Sequence, residues 1–297
     1  MSDFRATIEA SGLRPRDVSP DGKWHRCATD DKPRKRNGAY CLALDGLRGW
    51  FKNWATDVNL NDWAGTDTRS ATKRVFDEAN SRRQRERDRA YRVQSIRSAR
   101  AFWQASRPLN RPHAYIERKG LSPLGCSALR TNDGLLVVPV MLGDALVSVQ
   151  TIAVDGTKRF WPGAPVKAGA LVLDRPRAAV TCVVEGLATG LAVYQSMPKA
   201  RVIVAFDAGN LLPVVSRIRP TGSVVICADH DHKTLALRGI NPGLNKARSA
   251  SELIGCGVAH PQGIEGTDWC DYLAEVGEGA ARKLERAVLA QARFVMS

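Results

Sequence analysis

Three carboxylates stand where apolar runs of the chain end. Residues 178–184 (AAVTCVV) are apolar and β-branched and stop at Glu185-Gly186; residues 223–228 (SVVICA) stop at Asp229-His230-Asp231. Short apolar runs closed by Gly or Asp read as buried parallel strands, and open α/β sheets collect ligands at the carboxyl ends of such strands. Brought together, Glu185, Asp229 and Asp231 would repel one another unless a cation sat among them. Oxygen donors at that density suit Mg²⁺ or Mn²⁺ better than zinc. Asp268, ahead of a further helical run, either completes such a site or caps its helix, the commoner use of aspartate there. His230 and His232 flank Asp231, but neighbouring side chains diverge in a strand-end turn, so both are read as lying outside the metal set.

The elements around these acids follow the same pattern. Residues 201–206 form another core-strand run, ending in Asp207-Ala208-Gly209-Asn210, so that Asp207 and Asn210 share the sheet edge with the acids. Asp207 is read either as a site residue or as a turn or N-cap residue. Upstream, residues 135–141, 145–154, 158–161 and 170–173 read as a β-rich subdomain with turns at Gly143-Asp144 and Asp155-Gly156. Residues 70–106 lack proline and glycine and are rich in Arg, Gln, Glu and Ala, which predicts one long helix or two nearly collinear ones. Its apolar positions become regular only at Val93, Ile96, Ala99, Phe102 and Trp103, so the helix is expected to emerge exposed and then dock.

The first 66 residues read as a small α+β unit: a short helix, then strand-like pieces at 23–27, 39–44 and 49–54 between turn-rich connections. Trp24, His25, Tyr40, Trp50 and Trp54 interleave there with Arg26, Lys32, Arg34, Lys35, Arg36 and Lys52. Rings among cations suit stacking on unpaired bases while the cations hold phosphates; the alternative is that several of these rings form the core of the unit. His25, Cys27 and Cys41 invite a zinc reading, but the paired CxxC spacing and a fourth ligand are missing.

The net charge of +14 over 297 residues is unevenly spread. From Arg69 to Lys119 there are 15 Lys and Arg against 5 Asp and Glu, whereas Val180 to Ser297 carries 12 against 11. The positive field therefore belongs to the segment ahead of the acids. A stripe with Arg82, Arg83 and Arg85 at its centre would attract a polyanion by counterion release, or is a solvated helix face. A 44% hydrophobic composition leaves room for a sizeable core. The seven cysteines, an odd number without CxxC pairs, point to reduced, mostly buried thiols. No run of 18 apolar residues occurs and the first ten residues lack an apolar signal region, so the expectation is a cytoplasmic protein with no membrane partner.

Glu-Gly after one strand and Asp-x-Asp after the next but one resembles the Toprim domain shared by bacterial-type primases, type IA and II topoisomerases and some nucleases. The stretch EGLATG (185–190) is similar to the catalytic glutamate motif of primases carried by phages, satellite phages and conjugative plasmids. HAYIERKGL (113–121) resembles the segment just before the catalytic core of such primases. Lys158-Arg159-Phe160 falls where the basic half of the bacterial primase core has a Lys-aromatic motif. Residues 243–247 (GLNKA) are similar to the Gly-x-x-x-Ala helix after DxD, and 268–271 (DWCD) to a closing Asp-aromatic-x-Asp signature.

The resemblance implies an α/β protein: a Toprim, Rossmann-like parallel sheet at 176–275, a β-rich basic subdomain at 111–175, a basic helical linker at 67–110, a small N-terminal domain at 1–66 and a C-terminal helix at 276–297. It implies a DNA primase that copies single-stranded DNA into short RNA primers for a phage, plasmid or other mobile element. Glu185, Asp229 and Asp231 would be catalytic and, with Asp268, would hold Mg²⁺ or Mn²⁺. Lys158, Arg159, Lys167, Asp207, Asn210 and Lys246 would face nucleotide or template, although Lys158, Arg159 and Lys167 also fit ordinary hairpin-turn charges. Trp24, Arg26, Arg34, Lys35, Arg36, Arg82, Arg83 and Arg85 would hold nucleic acid. Partners would be the DNA template, NTPs and, since no GxxxxGK[ST] motif occurs, a helicase or single-strand-binding protein supplied in trans. Two other readings stay open: a Toprim nuclease using the same acids, and a non-catalytic single-strand-binding accessory protein.

Overall fold

A computed structural model describes residues 2–65, 71–122 and 128–296, in two units, Met1–Ala90 and Tyr91–Ser297. Cys126 lies outside the described residues, as do 67–70 at the start of the expected linker.

In the first unit, α1 (Ser2–Ala10) is followed by an antiparallel meander of β1 (Leu13–Arg14), β2 (His25–Thr29), β3 (Gly38–Leu42), β4 (Arg48–Asn53) and β5 (Asn61–Ala64), paired in chain order. Phe4 and Ile8 of α1 pack on Leu13, Tyr40, Leu42 and Phe51. A Cβ on Gly49 would lie 2.2 Å from the Phe4 ring, so only glycine lets β4 pass beneath it. The aromatics of this unit differ in burial. Tyr40 and Phe51 are core, whereas Trp24 and Trp54 stand 52% and 60% exposed.

The long helix α2 (Ala71–Ala105) bridges the division of the units; its turns from Tyr91 belong to the second. From Arg85 to Gln94 it is exposed, and it docks through Ser95 and Ala99, both buried. Trp161 closes this contact, donating Nε1–H to Ser98 Oγ at 2.9 Å and lying 4.8 Å from the Phe102 ring. Val93, expected on the docking face, is instead 42% exposed.

The rest of the second unit begins with β6 (Arg107–Pro108), α3 (Ala114–Arg118), β7 (Arg130–Asn132), β8 (Leu135–Leu142), β9 (Ala145–Ile152) and β10 (Lys158–Phe160), the strands forming an antiparallel sheet in the order β10-β9-β8-β7-β6. Then come β11 (Leu171–Leu173), β12 (Val180–Val184), α4 (Leu187–Ser196), β13 (Ala200–Val204), α5 (Ala208–Ile218), β14 (Gly222–Cys227), α6 (His232–Arg238), α7 (Pro242–Ile254), β15 (Gly257–Ala259), α8 (Trp269–Val276), α9 (Ala280–Leu289) and β16 (Arg293–Val295). The second sheet runs β11-β13-β12-β14-β15, with β12, β13, β14 and β15 parallel and β16 antiparallel on the start of β14. The run 170–173 contributes β11 to the edge of the parallel sheet, pairing with β13, and the tail 276–297 holds a strand as well as a helix.

Every residue of β12 is buried, and α4 lies close on the sheet because position 190 is glycine. A Cβ there would approach Val204 Cγ2 to 2.7 Å and Val184 Cγ2 to 3.2 Å. One core of valines, leucines and isoleucines runs from Tyr115 and Leu136 through β12 and α4 to Leu284 and Val288 of α9. Cys27, Cys41, Cys182, Cys227, Cys256 and Cys270 are buried free thiols, in line with the expectation. Among the described residues no helix is long and apolar enough to cross a membrane.

Candidate active site

Register puts the acids side by side. Val184 of β12 pairs with Val204 of β13 on one flank and Cys227 of β14 on the other, so Glu185 and Asp229 leave adjacent strand ends. Helix starts crowd the same edge. Glu185 accepts the Ala208 N–H of α5, and a Cβ on Gly243, in the first turn of α7, would lie 3.6 Å from Glu185 Oε2 and 3.5 Å from the Asp229 carbonyl oxygen. The His230 N–H donates to Thr267 O at 2.7 Å, which draws the following Asp268 toward the β14 end.

The electrostatics show which acids act on one another. Asp229 is pushed up to about 8, first by burial and then by the charges of Glu185 and Asp268, against a lowering hydrogen bond from Thr189 and the charge of Lys158. Burial also raises Glu185, with Asp207 and Asp268 adding to it and the Ala208 N–H and Lys158 opposing it. Lys158 is thus a cation that acts on both carboxyls, and its Nζ sits 3.8 Å from where a Gly186 Cβ would be. A clasp sets it there. Phe160, two residues on, meets Phe206 edge to face at 5.9 Å, and Phe206 follows the end of β13 with φ 74°, a left-handed backbone that is strained for an aromatic residue.

The other expected site residues separate by role. Asp231 caps α6, accepting the Thr234 N–H at 2.9 Å and the Thr234 hydroxyl, and the carboxylates acting most strongly on Asp229 are Glu185 and Asp268. Asp268 does both things open to it: Oδ1 accepts the N–H groups of Cys270 and Asp271 at 2.7 and 2.8 Å, while its charge acts on Glu185 and Asp229. Asp207 caps α5, accepting the Asn210 N–H at 3.0 Å. Asn210 braces the backbone. It is 4% exposed, accepts the Ala168 N–H at 2.7 Å and donates to the carbonyls of Gly169 and Ala205 at 2.9 and 2.8 Å, so its amide is spent on the backbone. Arg159, Lys167 and Lys246 are exposed, the last on α7.

Sequence reasoning passed over Thr189. It is buried on α4 and donates Oγ1–H to Asp229 Oδ1 at 3.2 Å. Its signal was the fourth position after Glu185, in the first turn of α4, which turns it back toward the strand end. In the first unit, Trp54 has Lys52 Nζ 5.0 Å and the Arg26 guanidinium 5.7 Å from its ring centre. Arg82, Arg83 and Arg85 are exposed on α2.

Among the described residues no three His, Cys, Asp or Glu side chains close into a group that could hold a metal ion. Mg²⁺ commonly needs only one or two protein carboxylates and completes its shell with water and substrate phosphate. A half-buried carboxyl pushed up by two like charges is short of positive charge, so Glu185 and Asp229 fit such a cation in donor type and in charge.

This parallel sheet with carboxylates at adjacent strand ends is a Toprim domain, whose family model matches residues 180–279. Over 252 residues the chain is 31% identical to a DNA primase TraC of Escherichia coli and 29% identical to a second protein of that name and organism, in each case across 79% of this chain. The chain thus carries a Toprim domain at residues 180–279 and is similar to these two primases over most of its own length. It spans 23% and 17% of the length of those two relatives. A solved DnaG primase catalytic domain bound to ssDNA is 16% identical, over 69% of this chain and 84% of that one, with a TM-score of 0.43.

Proposed function

We propose that the chain is a DNA primase, a DNA-directed RNA polymerase that makes short RNA primers on single-stranded DNA for a plasmid or related element. The observation that carries this reading is the half-buried Asp229, acted on by the charges of Glu185 and Asp268 and by Lys158 from a preceding basic β-sheet. Glu185 and Asp229 would hold Mg²⁺ or Mn²⁺. When bound, the ion supplies the positive charge that draws a triphosphate to the acids and stabilises the attacking and leaving oxygens. Lys158, Arg159, Lys167 and Lys246 are exposed cations, Lys158 offering its ammonium beside the acids and the others available to nucleotide or template. Thr189 orients Asp229, and the Glu185 carboxyl, raised by burial, is suited to take up or release a proton at the reacting hydroxyl. The exposed arginines of α2 and the Trp54 platform suit an unpaired strand, and a helicase or single-strand-binding protein would supply that strand.

The test incubates the purified chain with mixed-sequence single-stranded DNA, labelled NTPs and Mg²⁺ or Mn²⁺, beside Asp229→Ala and Glu185→Ala. Short labelled products lost in both variants are expected. Metal-dependent shortening of end-labelled DNA without synthesis would make the chain a nuclease, and binding alone, with template sequences and helicase supplied, would make it an accessory protein.

A further inference from the structure

The first unit holds a cavity of about 540 Å³, remote in sequence from the acids, whose lining includes Arg14, Arg16, Arg26, Arg34, Lys35 and Arg36. The carboxylate in that lining, Asp17, already accepts the Val18 N–H at 2.8 Å and the Ser19 hydroxyl at 3.1 Å. Six cations around one concavity repel one another, and an anion relieves that repulsion.

The cavity is built by the fold. Residues 29–35 are folded into successive turns by the N–H of Lys32 on Thr29 O and the N–H of Lys35 on Lys32 O, both at 3.0 Å. Arg36 Nη2 ties this segment back to Arg26 O at 3.1 Å, and Arg14 pairs with Asp30 at 2.5 Å. Those guanidiniums brace the walls. Arg16, Arg34 and Lys35 are exposed and make no ion pair among the described residues, so their charge is available to a ligand. One wall is aromatic: His25 stacks on the buried Tyr40 with ring centres 5.3 Å apart and an angle of 21°.

We infer that this cavity is a metal-independent binding site for a terminal polyphosphate, that of a nucleoside triphosphate or of a 5′-triphosphorylated RNA end. A duplex or single-strand backbone spreads its charge along an open groove, whereas a concavity of this volume, within the roughly 300–1,000 Å³ usual for small-molecule sites, gathers it at one place. Arg16, Arg34 and Lys35 supply the phosphate contacts and the imidazole of His25 offers a face to an adjoining base. The inference does not rest on primer synthesis and would stand if the acids proved hydrolytic.

The test is titration calorimetry on the full chain in EDTA with inorganic triphosphate, ATP, AMP, and one oligoribonucleotide carrying either a 5′-triphosphate or a 5′-hydroxyl. Inorganic triphosphate is expected to bind the wild type and Asp229→Ala alike. Its affinity should fall about tenfold or more in the Arg34→Glu/Lys35→Glu double variant, because charge-assisted contacts are lost and reversed. ATP matching inorganic triphosphate would assign the free nucleotide, and the 5′-triphosphorylated RNA binding more tightly than ATP would assign the RNA end; both uphold the site. Unchanged affinity in the double variant, loss in Asp229→Ala, or no preference of triphosphate over AMP and of the triphosphorylated over the hydroxyl RNA would overturn it. Arg16→Ala is the second variant should the double one fail to fold.

Discussion

Thr189 Oγ1 donates to Asp229 Oδ1 at 3.2 Å, a hydrogen bond from the first turn of α4 to the carboxyl that leaves the end of β14. It lowers the Asp229 pKa against the burial and like charges that raise it. Thr189→Val removes the donor at constant volume. Loss of one hydrogen bond to a charged group is worth about 1.5–3 kcal/mol, so primer synthesis should fall about tenfold or more. The apparent Mg²⁺ requirement should rise with it, and Thr189→Ser should restore both. An unchanged Mg²⁺ titration in the valine variant would remove Thr189 from the site.

Divalent-cation binding should strengthen with pH. Asp229, normally ionised above 3.8, is held protonated up to about 8 in the folded chain. A cation must displace that proton, so its apparent affinity rises as pH climbs through that window. Thermal shift with Mg²⁺ at pH 6.0 and 8.5 checks this, and a larger shift at pH 6.0 would contradict it.

The same displacement sets a stability sign in the absence of metal. Between 3.8 and about 8 the folded chain binds the Asp229 proton more tightly than the unfolded one, so metal-free stability falls as pH rises across that range. Asp229→Asn, which cannot ionise, should raise the metal-free unfolding midpoint at pH 8.5 and lose this advantage toward pH 4. Equal midpoints at both pH values would show that the carboxylate is already compensated.

Lys158 faces both carboxyls and lies beside Gly186, so Lys158→Ala should weaken activity strongly, on the order of the 10²-fold cost of removing a preorganised electrostatic partner. Lys158→Arg should retain part of it. Steady-state kinetics in NTP make the comparison, and an alanine variant with wild-type kcat and KM would reduce Lys158 to a surface charge.

Gly190→Ala tests packing rather than chemistry. Its Cβ would press to 2.7 Å on Val204 Cγ2, and such overpacking costs about 1–3 kcal/mol. Asn210→Ala should also destabilise the chain, by about 1–3 kcal/mol for the backbone groups it strands, without a selective rise in the KM for NTP. Denaturant midpoints and NTP kinetics together separate a strut from a ligand.

The order of chemistry along this chain is written in local patterns. The apolar runs at 178–184, 201–206 and 223–228 announce buried parallel strands because burial on both faces leaves no polar alternation, and Glu185 and Asp229 are legible because they are the first acids after such runs. Even Gly190 is visible in the motif, although its reason, the approach of α4 to Val204, is not.

Which acids meet was decided by the tertiary structure. Asp231 sits in the same short motif as Asp229 and caps α6, while the segment holding Asp268 is tied to the β14 end by the backbone hydrogen bond between His230 and Thr267. The Phe160–Phe206 clasp that sets Lys158 beside Gly186, and the strut role of Asn210, likewise join segments far apart in the chain. Periodicity records how deeply a residue is buried; the direction of a side chain at a strand end depends on the loops that pack against it, and those contacts exist only once the chain has folded.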